Sequence, residues 1–375
     1  MNYQNQITAE IARLKSEIAG GNITKSDSWD IEYTFDTFFI RYYLLALTVN
    51  GVVSCVLHVI VWYVIMFKTP KEMHDYRIYL FNISICSFFH DVVISIFWRP
   101  VSLFPNTICT NTGLVQYFGS DYAHFGVAVG MPAMSLNIMS ILIGIIYRIV
   151  SLMDQQYLKF LHSKYGLLIM GVIQFGPPVL LGGVLMLAGV PVEALREKAF
   201  VKYPQLVPIF ESESVFGYDA ELNAWINVIC VLGIICIMVI IPTTEILCFL
   251  ISSRQLKAVR QHISAHTYQL NRNLIVVLFI QVTLPNVMIL APAVIVVILI
   301  WQEVPYTNIM LEACFLSCSF HSVIDNLIML FAITPYRRSL KHMIFGKTFN
   351  SNFDESVRNN SKLHMSKRMS LMPKI

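Results

Sequence analysis

Residues 42–67 read YYLLALTVNGVVSCVLHVIVWYVIMF, an apolar run without one Asp, Glu, Lys or Arg. At a rise of 1.5 Å per residue, about 20 such residues make a helix that crosses the hydrocarbon core of a bilayer. Six further segments of this kind follow, near Ile78 to Trp98, Gly113 to Tyr147, Tyr165 to Val190, Ala224 to Ile251, Leu274 to Trp301 and Tyr306 to Ile333. The third is long enough to tilt strongly or to project beyond the bilayer. The pattern predicts an all-α membrane protein, a seven-transmembrane helix bundle over residues 39–334. A polar tail precedes it (residues 1–38). A short amphipathic helix (residues 335–346) and a polar, disordered tail (residues 347–375) follow.

Composition points the same way. Of the 375 residues 56% are hydrophobic and only 13% charged, with a mean hydropathy of +0.61, whereas soluble domains carry about 25% charge. A water-soluble fold is excluded. The net charge of +4 is small, and the basic residues sit in short loops rather than on an aromatic-studded face, which argues against nucleic acid as a partner. The first 30 residues contain no apolar stretch of the kind a cleavable signal needs, which leaves the first span to target the chain.

Lys and Arg accumulate on the cytoplasmic side of membrane proteins. With the amino terminus outside, the inner segments hold Lys68, Lys71 and Arg77, then Arg148, Lys159 and Lys164, then Arg254, Lys257, Arg260 and Arg272, and further basic residues after Thr334. The outer segments keep Arg13, Lys15, Lys25, Arg41, Arg99, Arg196, Lys198 and Lys202, the last three among six acidic residues between Glu193 and Glu221. The expected topology is amino terminus outside, carboxyl terminus inside. The sequon at Asn22 is a glycosylation candidate on that outer tail, where Ile7, Ile11, Leu14 and Ile18 share one face of a helix or lie in a disordered segment. Beyond Pro335, residues Tyr336, Leu340, Met343 and Ile344 fall on one face with basic residues on the other, the pattern of a helix lying in the membrane interface. Seven of the eight cysteines fall in apolar runs and only Cys109 sits in a loop, so they read as small hydrophobes rather than a disulfide framework.

Polar groups inside spans cost several kcal/mol unless they face a cavity or a partner, so each is a candidate site. Asp91 lies about 20 Å above the inner end of the second span, and Asn137, Asp325 and Asn326 about 15 Å above theirs. They can meet near mid-membrane, either as a switch holding a shared proton or a sodium ion, or as a static network ordering the bundle. In the outer half, Asp121 and His124 stand one turn apart near the top of the third span. With Tyr117, Trp98, Trp225, Tyr306 and Glu312 they supply aromatic walls and a few polar groups for a small molecule, although Tyr and Trp also form interfacial belts. Pro285 and Pro292 interrupt the sixth span as a hinge or a fixed bend.

The run Lys68-Thr69-Pro70-Lys71-Glu72-Met73-His74-Asp75-Tyr76-Arg77, then Tyr79-Leu80-Phe81-Asn82, resembles the first inner loop of nematode serpentine chemoreceptors of the class H and class I group. Other landmarks recur in order: Asp91, Pro100 to Pro105 with Gly113, Tyr147-Arg148, Thr267 and Asn271, Gln281 with Pro285 and Pro292, and Pro335-Tyr336-Arg337. The resemblance covers about Tyr42 to Phe345. It implies a rhodopsin-like bundle in the plasma membrane, in a sensory-neuron cilium, that binds an odorant- or pheromone-like molecule in its outer half and activates a heterotrimeric G protein. Tyr147, Arg148 and Arg337 are then the candidates for coupling. Tyr147 replaces the acidic neighbour that rhodopsin-like receptors place before the arginine, and Glu245 is a possible substitute partner for Arg148. No Cys lies between Pro191 and Asn223, so the disulfide that usually pins the outer loop cannot form with Cys109 in the usual way.

A chain with these features is not expected to be an enzyme or to carry a cofactor, since neither His-Glu-x-x-His nor Gly-x-Ser-x-Gly occurs. The competing expectation is a seven-helix ligand-gated channel or transporter. The charge asymmetry disfavours insect-type odorant channels, which have the opposite orientation, and no internal repeat suggests a transporter.

Overall fold

The computed structural model describes residues 37–70, 73–103, 108–119, 122–153, 155–202, 214–302, 304 and 307–345. Asn22, the stripe of Ile7, Ile11, Leu14 and Ile18, and the tail from residue 347 lie outside them, as do Asp121 and Tyr306.

Four long helices come first: α1 (Thr37–Lys68), α2 (Arg77–Val92, continuing as a π-turn, Val93–Trp98), α3 (Phe125–Ser151) and α4 (Lys164–Ala188). Helix α5 joins Trp225–Ile235 to Ile241–Ala258 through the π-turn Cys236–Ile240, and α6 joins Ala265–Pro285 to Ala291–Trp301 through the π-turn Asn286–Leu290. Helices α7 (Thr307–Ala332) and α8 (Thr334–Phe345) complete the chain. Among the described residues, six helices are long and apolar enough to cross a membrane. The bundle is inverted relative to a soluble protein. Val52, Val56 and Val59 of α1 and Leu168, Val179 and Leu180 of α4 point outward, whereas Asn50, Ser54, His58, Asp91, Asp325 and Asn326 are buried. Hydrocarbon outside the protein makes that arrangement favourable, because every polar group must find its partner within the bundle.

Two helix starts carry the expected cap: the Ser163 hydroxyl accepts from the Gly166 amide ahead of α4 (3.2 Å) and Ser264 from Thr267 ahead of α6 (3.1 Å). Helix α6 therefore begins well before Leu274, because its first turns are polar and hydropathy does not register them.

The third span departs most from expectation. Its helix starts at Phe125, and the preceding residues fold into β1 (Pro100–Leu103), β2 (Ile108–Asn111) and a 3-10 turn (Leu114–Phe118). Strand β3 (Ser214–Gly217) completes an antiparallel sheet in the order β1-β2-β3, pairing Val101 with Thr110 and Cys109 with Phe216. The strands lie in the stretch expected to be a loop, and of the expected third span Leu114–Phe118 form the turn that leads from them towards α3. Gly113 is required there: a Cβ would lie 2.3 Å from the Phe97 carbonyl oxygen.

Trp98 ends α2 in a notch on α3. A Cβ at Gly126 would lie 2.5 Å from its ring and one at Gly130 2.2 Å. Gly130→Ala is therefore expected to cost roughly 1–3 kcal/mol by overpacking, seen as a fall in thermal midpoint of several degrees. An unchanged midpoint would show that the indole can swing aside.

Candidate functional site

The middle of the bundle holds a polar network built from α1, α2 and α7. On α1, Asn50, Ser54 and His58 recur every fourth residue and share one face. The Ser54 hydroxyl donates to Asp91, and the His58 ring bonds the Ser54 carbonyl through Nδ1 (2.9 Å). That leaves Nε2 to accept from the Asn326 amide at 3.1 Å. The Asn50 amide donates to the Ser319 hydroxyl at 2.5 Å, and Ser87 and Ser322 share a hydrogen bond of 2.5 Å. Nδ1 of His90 stands 3.6 Å from the Asp91 carboxylate, and its ring is 6.1 Å from that of His321. Asp325 lies beside Gln281 of α6 and within range of the Asp91 charge. All of these groups are almost fully buried.

The structure thus connects Asp91 to Asn326 through Ser54 and His58, while Asp325 is buried with no side-chain hydrogen bond to either among the described residues. Asn137 is buried too, but no hydrogen bond among the described residues ties its side chain to them; its carbonyl accepts from Ser140 at 2.6 Å. Among the members that went unnoticed in the sequence are three histidines, His58, His90 and His321. The signal was present as a polar stripe at helical spacing inside an uninterrupted apolar run.

At the end of the bundle away from the sheet, Arg148 closes α3 only 6% exposed. Its guanidinium sits 4.0 Å above the Tyr76 ring and donates through Nη1 to the Asn271 Oδ1 of α6 (2.9 Å). Tyr147 is buried beside it, stacked on Tyr79 at 4.2 Å and on Tyr76 at 5.8 Å. The suggested Arg148–Glu245 pair is not formed. The Glu245 carboxylate accepts instead from the Asn286 amide, at 2.7 and 2.6 Å. Helix α8 packs back through buried Tyr336, whose hydroxyl meets that of Thr69 at 2.9 Å, while Arg337 is exposed. Burial lifts the Tyr336 phenol to about 12, so it stays neutral at any physiological pH.

Pro285 and Pro292 bracket the π-turn of α6. Pro292 lacks an amide hydrogen and so leaves the carbonyl four residues back, that of Met288, without its helical donor. The Ser317 hydroxyl of α7 supplies one at 2.7 Å. The break in α6 is therefore braced by α7 and, through Asn286, by α5.

At the sheet end the candidates separate. Trp98 and His124 both pack against Phe216 of β3, with ring centroids 6.2 Å apart in each case. Nε2 of His124 also bonds the Leu185 carbonyl at 2.8 Å. His124 stands just ahead of α3 rather than within it. Glu312 is buried close to Cys109 of β2, and burial together with that carboxyl pushes the Cys109 thiol up to about 12. Cys109 is a free thiol; the backbone ladder between β2 and β3 ties these two distant segments together. Tyr117 and Trp225 are 79% and 51% exposed and do not join this group. A further clamp holds the segment after β3, where Nζ of Lys198 meets Asp219 at 2.6 Å and Glu221 at 2.7 Å. Partial burial opposes ionisation of Asp219, but Lys198 and the amides of Leu222 and Glu221 outweigh it and hold the carboxyl below its ordinary range. A depressed carboxyl contributes stability above its unfolded value and loses it only as pH falls through the folded one, so the clamp persists through neutral pH.

Comparison with known proteins bears on the whole arrangement. The family described as serpentine type 7TM GPCR chemoreceptor Srh matches residues 40–346. Serpentine receptor class delta-33 of Caenorhabditis elegans is 26% identical over 126 residues, 33% of this chain and 35% of that protein. The chain thus aligns with about a third of the length of this curated relative. Among solved structures, squid rhodopsin superposes with a TM-score of 0.53 at 14% identity, covering 83% of this chain and 87% of its own. That likeness is one of fold.

Proposed function

Because the chain belongs to the Srh family of serpentine seven-transmembrane chemoreceptors, we propose that it converts binding of a small environmental molecule into activation of a heterotrimeric G protein. Family and fold are those of receptors, and the chain is a multi-pass membrane protein. The finer reading places the amino terminus outside the plasma membrane and the Arg148 end of the bundle in the cytoplasm. Trp98, His124 and Glu312 line the ligand site beneath the sheet; Asp121 and Tyr306, candidates from the sequence, lie outside the described residues.

The observation that carries this reading is the buried Arg148. A guanidinium removed from water depends on the partners it keeps, and here Nη1 donates to Asn271 of α6 while the cation lies over the ring of Tyr76, the residue that caps α2. Such a contact is a latch between α3 and α6. Releasing it lets α6 swing at its π-turn and opens a surface for the G protein, and the network of Asp91, Asp325, Asn326 and His58 biases the same equilibrium from mid-membrane. Sodium binding at that network belongs to the same reading.

The test combines topology with signalling. An amino-terminal tag is expected to be reached by antibody in intact cells and a carboxyl-terminal tag only after permeabilisation. A panel of odorants is expected to evoke a reporter signal that disappears when the G protein is omitted. Inverted termini, or a ligand-evoked current independent of G protein, would overturn the proposal in favour of a channel.

A further inference from the structure

Glu245 lies on α5 within the fifth span, six residues or roughly 9 Å from its Ile251 end, with 8% of its surface exposed. Its known partner is one neutral amide, Asn286, and among the described residues no cationic side chain pairs with it. A carboxylate at that depth is costly unless a cation or donor accompanies it, and each of its oxygens can accept more than the one hydrogen bond it receives.

What Glu245 borders on is a cavity of about 130 Å³ between α3, α5 and α6. Ile138 and Leu142 of α3, Ile240 and Thr244 of α5 and Val282 of α6 form its walls, so the carboxylate is a single strong acceptor in an apolar chamber. An apolar cavity of about 150 Å³ holds benzene, which sets the size of the guest. On its other side Glu245 borders a second void of about 10 Å³, the room of one water, which also touches Arg148.

We propose that this chamber is a second small-molecule site, distinct from the one beneath the sheet, and that it takes a lipophilic primary amine of about benzene's size. The walls select a hydrophobic body and Glu245 selects an ammonium, which supplies the missing cation and several donors. Binding acts on α6 directly. An ammonium on Glu245 competes with Asn286, the first residue of the π-turn after Pro285, and so removes the brace that α5 provides. Only this output rests on the receptor reading; occupancy of the site does not.

The test is a thermal-unfolding series on the full chain in lipid nanodiscs with cyclohexylamine and its neutral isostere methylcyclohexane. Cyclohexylamine is expected to raise the midpoint in a saturable manner and methylcyclohexane to do so far more weakly. Glu245→Gln is expected to weaken the amine's apparent affinity at least tenfold. Leu142→Trp fills the chamber from the opposite wall and is expected to abolish the shift while leaving the carboxylate in place. No saturable shift in the wild type, an equal shift with methylcyclohexane, or a shift that survives both substitutions would overturn the proposal. Binding retained in a receptor that fails to signal would instead count against the G-protein reading.

Discussion

Arg148→Ala is expected to abolish ligand-evoked G-protein signalling while surface expression persists. The side chain is buried, so the substitution removes both the α3–α6 contact and the group that a G protein would meet once α6 moves. A hydrogen bond to a charged donor contributes about 1.5–3 kcal/mol, and a desolvated cation over an aromatic face about 2 kcal/mol. Asn271→Ala separates the two effects, since it releases the latch but keeps the arginine. Its expected result is a rise in basal signalling of about tenfold, corresponding to about 1.4 kcal/mol. Arg148→Lys is not expected to restore function, because an ammonium lacks the planar fork that stacks on Tyr76 and reaches Asn271 together. Signalling unchanged in Arg148→Ala would remove the residue from coupling.

The second large effect lies in the polar network. Asp91→Asn and Asp325→Asn are expected to be non-additive in a double-mutant cycle, with an interaction energy on the order of 1 kcal/mol. Both carboxyls are almost fully buried on the packed helices α2 and α7, so neutralising one is expected to make the second substitution cost less than it would alone. Midpoints of thermal unfolding and basal reporter activity provide two independent readouts of the cycle. Effects that simply sum would mean that the two residues serve separate sites, leaving Asp91 tied to α1 through Ser54 alone.

The network also shows where reading by depth succeeds and where it fails. Counting residues from the helix ends put Asp91 at about 20 Å and Asp325 and Asn326 at about 15 Å, and hydrogen bonds through Ser54 and His58 connect Asp91 to Asn326. The same count included Asn137, which lies at that level without a described side-chain bond to the others. It passed over His58, which connects Asn326 to the Ser54 backbone. Depth is a coordinate along one helix; contact requires the rotation of several.

What the sequence by itself determined is the partition between lipid, protein interior and water. Hydrocarbon sets its requirement residue by residue, in length and polarity, whatever lies alongside. The apolar spans, the basic helix after Pro335 and the burial of Asp91 and Asp325 were therefore legible, as was the family, through motifs spaced along the helices. The tertiary structure alone decided which side chains meet. Arg148 takes Asn271 and Tyr76 while Glu245 turns to Asn286, the strand Ile108–Asn111 pairs with one a hundred residues away, and Leu114–Phe118 leave the third span to form a 3-10 turn. Those choices depend on helix rotation, on π-turns that shift register at Asn286 and Cys236, and on pairing between distant segments, all of which are properties of the assembled bundle rather than of any one span.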